Sequence, residues 1–165
     1  MLFSSTFLKV VSTITVISQA VLAAPTDSIQ TQALNAHNSL RAKHHVAGLR
    51  WNQALANHAT AVSRTCNYAH NVATGTGQNL AWGRPSLEAS IQAWYDESQF
   101  YDYNTGRSRY SNKSIGHFTQ VVWKGTTEIG CGSTYCAAKK QYFYVCDYSA
   151  AGNMAGGQAA NVIRP

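Results

Sequence analysis

Two histidines, one carboxylate and one carboxamide are the residues of this chain best suited to build a site. His70 lies just after a helical stretch, and His117 opens an apolar run. Glu97 closes the turn Trp94-Tyr95-Asp96-Glu97, and Gln78 follows the glycine-containing segment Gly75–Gly77. Neutral imidazoles are good ligands for a borderline-soft divalent ion, and two of them leave coordination positions open. A carboxylate beside such a pair could act as third ligand or general base. An amide hydrogen-bonds but does not ionise, so Gln78 can do neither. The four converge only if the helix carrying Trp94 packs beside the element that His117 opens.

Acids are scarce everywhere. Seven Asp and Glu face thirteen Lys and Arg, for a net charge of +6 with histidine neutral. Charged residues make up 12% of the chain, about half the usual share, which excludes a disordered polyampholyte and a solvated coiled coil. A hydrolase at His70, His117 and Glu97 needs one more polar group, and Asp96, adjacent to Glu97, points elsewhere on any regular element. No Gly-x-Ser-x-Gly elbow is present. The remaining histidines have plainer readings. His44 and His45 sit near a helix end, where imidazole meets the carbonyl dipole. His58 falls on the outer face of its helix, and His37, one turn before Arg41, reads as a polar residue at a helix–sheet contact.

The elements that must position these groups change character along the chain. Asp27, with Gln30 three residues on, caps a helix running to about His45, with Ala33, Leu34, His37, Leu40 and Arg41 inward. Asn52 caps a second helix with Leu55, Ala59, Val62 and Cys66 inward. Ser86, after Pro85, caps a third with Leu87, Ile91, Trp94 and Tyr95 on one side. The second half reads as strands at His117–Trp123, Glu128–Ser133 and Gln141–Tyr148, with an irregular Gly/Ala-rich tail over Ala150–Ala160. Helices first and antiparallel strands later predict an α+β fold.

Residues Met1–Ala23 have the outline of a secretory signal peptide: an apolar run diluted by Ser and Thr, too short and polar to span a bilayer, and a small-residue exit. Cys66, Cys131, Cys136 and Cys146 then lie in an oxidising compartment and form two disulfides, with three connectivities open. No CxxC pair supports a zinc reading of the cysteines. Asn112-Lys113-Ser114 is an N-glycosylation sequon that marks a surface loop. Secretion and the lack of a basic stripe argue against nucleic acid as a partner. The excess positive charge instead favours anionic cell-wall or membrane surfaces.

Several segments resemble one family in the right order. Gly116-His117-Phe118-Thr119-Gln120-Val121-Val122-Trp123 resembles the first signature of the CAP superfamily, which groups cysteine-rich secretory, antigen-five and pathogenesis-related-one proteins. Tyr144-Val145-Cys146-Asp147-Tyr148-Ser149-Ala150-Ala151-Gly152-Asn153 resembles its second, with Ala150 where proline is usual. His37-Asn38-Ser39-Leu40-Arg41, Gly77-Gln78-Asn79-Leu80-Ala81 and Trp94-Tyr95-Asp96-Glu97 resemble its first-helix, Gly-Glu-Asn-Leu-Ala and Trp-x-x-Glu motifs. The secreted fungal members are the most similar in length and layout.

The resemblance implies a domain over 24–165 folded as a three-layer α–β–α sandwich around a small central antiparallel sheet. It implies a cavity lined by His70, Gln78, Glu97 and His117, with Gln78 in place of a Glu. A divalent metal, zinc or magnesium, would be held weakly by His70 and His117. It implies a secreted protein that binds sterols or fatty acids rather than an enzyme, for export, sequestration or host interaction. Tyr101, Tyr103 and Tyr110 would be the lipid-binding residues of a flexible aromatic loop. The family's disulfide pattern implies Cys66–Cys131 and Cys136–Cys146. A metal-dependent hydrolase at His70, His117 and Glu97 is the alternative.

Overall fold

In a computed structural model, residues 28–165 are described. The expected leader at 1–23 and the expected cap Asp27 lie outside them. The first helix, α1 (Ile29–Lys43), is capped instead by Ser28, whose Oγ accepts the Thr31 N–H at 3.2 Å. The other two expected caps are in place: Asn52 opens α2 (Gln53–Arg64) and Ser86 opens α3 (Leu87–Tyr95). Each such cap is worth about 1 kcal/mol and fixes where the helix begins.

Four strands form the central sheet: β1 (Arg50–Trp51), β2 (Gly77–Trp82), β5 (Glu128–Cys136) and β6 (Gln141–Ser149), in the order β1-β5-β6-β2. The long strands are antiparallel, and only the two-residue β1 runs parallel to β5. Strands β3 (Tyr101–Asp102) and β4 (Arg107–Ser108) make a separate small hairpin. Helix α2 packs on one face of the sheet, while α1, α3 and the short α4 (Gly116–Val121) share the other side. This is the expected α+β sandwich.

Alternation along β6 separates two cores. Phe143 and Val145 meet Leu80, Ala59 and Val62 beneath α2, whereas Tyr144, Cys146 and Tyr148 face α1, α3 and α4. Gly130 and Gly132 let α2 lie directly on β5, since a Cβ at either would collide with the α2 backbone at Ala56 or Thr60. Arg41 is fully buried without a carboxylate partner. Its guanidinium donates to the carbonyls of Ala47, Val121, Trp123 and Thr126, which ties α1 to the C-terminal end of α4. Burial holds its pKa down to about 10.

Three expectations need correction. His117–Trp123 is not a strand: Gly116–Val121 is the helix α4. Its residues Phe118, Thr119, Gln120 and Val121 are all buried, so the segment shows neither helical nor strand periodicity in sequence. The Gly77-Gln78-Asn79-Leu80-Ala81 motif, which the resemblance places in a loop, lies instead on the edge strand β2. The disulfides are Cys66–Cys136 and Cys131–Cys146, not the pairing that the resemblance implies. The reason is register. Cys131 lies directly opposite Cys146 across β5 and β6, with Cα atoms 4.1 Å apart, while Cys136 ends β5 beside Cys66 just past α2. The tail also carries a short helix, α5 (Gln158–Asn161).

Candidate functional site

The N-terminal end of β2 organises the polar residues. Gln78 and Asn79 are consecutive and therefore face opposite sides of the sheet. Gln78 is buried, and all four of its hydrogen-bonding positions are used. Its Oε1 accepts from His70 Nδ1 at 3.0 Å and from the Asn71 N–H at 3.2 Å. Its Nε2 donates to the Asn71 carbonyl at 2.9 Å and to Asp147 Oδ1 at 2.8 Å. Those donations fix the amide orientation, so His70 must carry its proton on Nδ1 and leaves Nε2 as a lone pair.

Asp147 is a site residue that sequence reasoning passed over. It is 1% exposed and lies directly across the ladder from Gln78. Its other oxygen accepts from His58 Nδ1 at 2.6 Å. His58 is therefore not on the outer face of α2 as expected; it leans onto the sheet. Burial pushes the Asp147 carboxyl above its usual range, while the bonds from His58 and Gln78 pull it back down. An Asp in an otherwise apolar strand was the available signal, and only the β2–β6 register shows what it meets.

On the other side of β2, Asn79 Nδ2 donates to the His117 carbonyl at 3.1 Å, and the second histidine follows. Glu97 sits in the 3₁₀ turn Asp96–Phe100 that extends α3. Its Oε2 accepts the backbone N–H groups of His117 and Phe118 at 2.9 and 3.1 Å, capping α4 from a distance in sequence. Its Oε1 accepts from His117 Nδ1 at 2.7 Å, and the His117 ring stacks on Trp94 with centroids 6.2 Å apart. His117 is thereby held as His70 is, with Nδ1 protonated and Nε2 free, the orientation that a carboxylate or carbonyl imposes on metal-ligating histidines. A cleft of about 250 Å³ opens here, lined by Tyr68, Trp82, Arg84, Trp94, Glu97 and His117 among others.

The structure thus pairs His70 with Gln78 and His117 with Glu97, and no hydrogen bond joins the two pairs. Among the described residues, no three His, Cys, Asp or Glu side chains group to hold a metal ion. The candidate metal donors are therefore the two imidazoles alone. Neither imidazole hydrogen-bonds a hydroxyl, and all four cysteines are bridged. His37 is the helix–sheet contact expected of it. Nδ1 donates to the Ala33 carbonyl at 2.8 Å and Nε2 accepts from the Tyr148 hydroxyl at 2.9 Å. Burial lowers its pKa to about 4.

The aromatic loop is folded into the β3–β4 hairpin. Tyr101 is 1% exposed, its ring packed on Tyr103 and Phe118. Tyr103 is half-buried, stacked near His44 and covered by the Arg164 guanidinium at 4.9 Å. Tyr110 is exposed and leans on Phe100. Asn112 lies on the exposed segment that follows. A separate groove of about 560 Å³ runs between α1 and α3, with Ala36, Leu40, Ala89 and Ile91 as its apolar part. Lys43 stands at its end, 5.6 Å over the Tyr95 ring. Tyr95 contacts His44, which stacks on Tyr103, so this end of the groove adjoins the hairpin.

The model of the CAP: Cysteine-rich secretory protein family matches residues 34–148. The chain belongs to the CAP family. It is 41% identical over 138 residues to Protein PRY2 of Saccharomyces cerevisiae, covering 81% of this chain and 40% of that protein. It is 34% identical over 142 residues to Cysteine-rich secretory protein 3 of Homo sapiens, covering 77% and 58%. The chain thus spans about half the length of these curated relatives. It is also 37% identical over 150 residues to Fruiting body protein SC7 of Schizophyllum commune, covering 80% and 69%. Among solved structures, the venom allergen-like protein 4 of Schistosoma mansoni superposes with a TM-score of 0.69 at 28% identity, over 82% of this chain and 95% of that one. The CAP motifs of the sequence therefore occupy the structural positions just described. Gln78, Glu97 and His117 are anchored on β2, the turn after α3, and α4.

Proposed function

We propose that this CAP domain is an extracellular carrier for a small hydrophobic lipid, a sterol or a fatty acid, and not a hydrolase. The observation that carries the reading is the α1–α3 groove. At about 560 Å³ it falls within the range of small-molecule sites, with Ala36 and Ala89 over the buried Leu40 and Ile91 as its apolar part, Asn35, Ser39, Glu88 and Gln92 as its polar rim, and Lys43 at one end to meet a carboxylate. The hairpin bearing Tyr101 and Tyr103 adjoins that end and serves as its lid. Tyr103 is the ring that adjoins the groove end, through His44, while Tyr101 anchors the hairpin and Tyr110 leans on Phe100 beyond it. The two disulfides suit an oxidising extracellular setting.

The hydrolase reading is weaker because Glu97 is committed. Both of its oxygens accept hydrogen bonds, two of them from the α4 backbone, so it acts as a helix cap and an imidazole anchor rather than a free base. A divalent ion would be bound weakly through Nε2 of His70 and of His117, zinc in preference to magnesium because the donors are imidazole nitrogens. Such an ion would supply Lewis-acid polarisation; the protein supplies only the two fixed tautomers. The test is titration with a fluorescent sterol and a fluorescent fatty acid. Ala89→Trp fills the groove and abolishes saturable binding of both, while Lys43→Gln weakens only the fatty acid. Unchanged affinity in Ala89→Trp sinks the groove assignment.

A further inference from the structure

The end of the β5–β6 hairpin has a surface that the lipid groove does not explain. Every residue of the turn Ala137–Lys140 is exposed, and it carries two adjacent cations, Lys139 and Lys140. Large rings flank it on both faces of the sheet. On one face, Tyr135 and Tyr142 are cross-strand partners, 53% and 45% exposed, with rings 5.3 Å apart. On the other, the 56% exposed Tyr68 meets the half-buried Trp82, both resting on Phe143. Arg84 adds a third exposed cation just past Trp82.

Among the described residues, no acid lies on this turn or lines the cleft beside Lys139, while Glu97 shares a smaller cleft with Tyr68, Trp82 and Arg84. Glu128 and Asp147 lie at the opposite end of the hairpin, and Asp96 and Asp102 follow the C-terminal end of α3. Glu88 lines the α1–α3 groove. A shallow cleft of about 630 Å³ opens between Tyr68, Trp82 and Lys139, and none of these acids lines it.

We propose that this hairpin end docks the protein on an anionic lipid surface, with Lys139, Lys140 and Arg84 against the headgroups and Tyr68, Trp82, Tyr135 and Tyr142 at the headgroup–acyl boundary. Rings with an apolar body and a polar tip are suited to that boundary. Lysines close to an anionic leaflet each contribute roughly fivefold in partitioning. The site is separate from the α1–α3 groove. A domain that docks here yet carries no lipid passes this test and fails the titration above.

The experiment is flotation with phosphatidylcholine vesicles, with and without phosphatidylserine, read also by the emission of Trp82. Binding should require phosphatidylserine, fall as salt shortens the screening length, and blue-shift the emission in wild type but not in Trp82→Phe. Lys139→Gln with Lys140→Asn should lose about 25-fold in partitioning. Asn is chosen at 140 because that residue has a positive φ of 55°. Lys124→Gln, an equal charge loss per site at the other end of the molecule, should cost little. Equal losses in the two sets of variants, binding to phosphatidylcholine alone, or retention on glucan or chitin particles with no vesicle binding would each overturn the proposal.

Discussion

Replacing Gln78 by Glu restores the carboxylate that the family motif carries, and the structure predicts that the protein pays for it in stability. The Gln78 amide now donates to Asp147 Oδ1 at 2.8 Å and to the Asn71 carbonyl at 2.9 Å. A carboxylate offers neither donor and sets two acids in contact. Two unit charges near 3 Å repel by about 5 to 6 kcal/mol at an effective dielectric of 20. The variant avoids most of this by taking up a proton. Neutralising a Glu of ordinary pKa costs about 5 kcal/mol at pH 8 but only about 1 kcal/mol at pH 5.

The pair therefore has a folded-state pKa above its unfolded value. The folded protein holds the extra proton, and stability falls as pH rises through that window. The hydrogen bond from His58 Nδ1 to Asp147 stabilises part of that charge, leaving a deficit on the order of 3 kcal/mol at pH 8 that shrinks towards pH 5. Urea unfolding of both proteins at the two pH values measures it. A Gln78→Glu variant as stable as wild type at pH 8, or a gap that widens on acidification, would refute the reasoning.

Other consequences can be tested together. His37, lowered to about 4 by burial, resists protonation in the folded state while the unfolded chain binds a proton near pH 6.5. Stability should fall by about 3 kcal/mol as pH drops from 6.5 to 4, and a His37→Gln variant should lack that component of the slope. Removing Cys66 and Cys136, 70 residues apart, should cost about 1 kcal/mol more than removing Cys131 and Cys146, 15 apart, by loop entropy. Mapping of unreduced peptides should recover the 66–136 and 131–146 links. Tyr101→Ser should destabilise by about 3 kcal/mol because the ring is 1% exposed, whereas Tyr103→Ser should cost less and mainly weaken lipid binding.

What could be read from sequence was local. Asn52 and Ser86 cap their helices through bonds spanning two or three residues, and both were legible from residue type and the apolar spacing that follows. Helix α4 was not, because its N-terminus is satisfied by Glu97, about twenty positions away, and its sides are buried all round. The same limit explains the disulfides and Asp147. Cys131 faces Cys146, and Gln78 faces Asp147, only because β6 lies between β5 and β2 in one particular register. Gln78, Glu97 and His117 were recognisable through motifs and His70 by its position, but not that they would form two separate hydrogen-bonded pairs. The shortage of acids at position 78 is likewise a matter of register, since the carboxylate stands across the ladder at Asp147.

The central claim is that this domain carries a lipid, and the most direct measurement is mass spectrometry of what co-purifies with the protein. The wild type should yield a sterol or fatty acid at close to one molecule per chain, and Ala89→Trp, purified in parallel, should yield almost none. An empty wild-type protein, or the same lipid in equal amount from the filled groove, would contradict it.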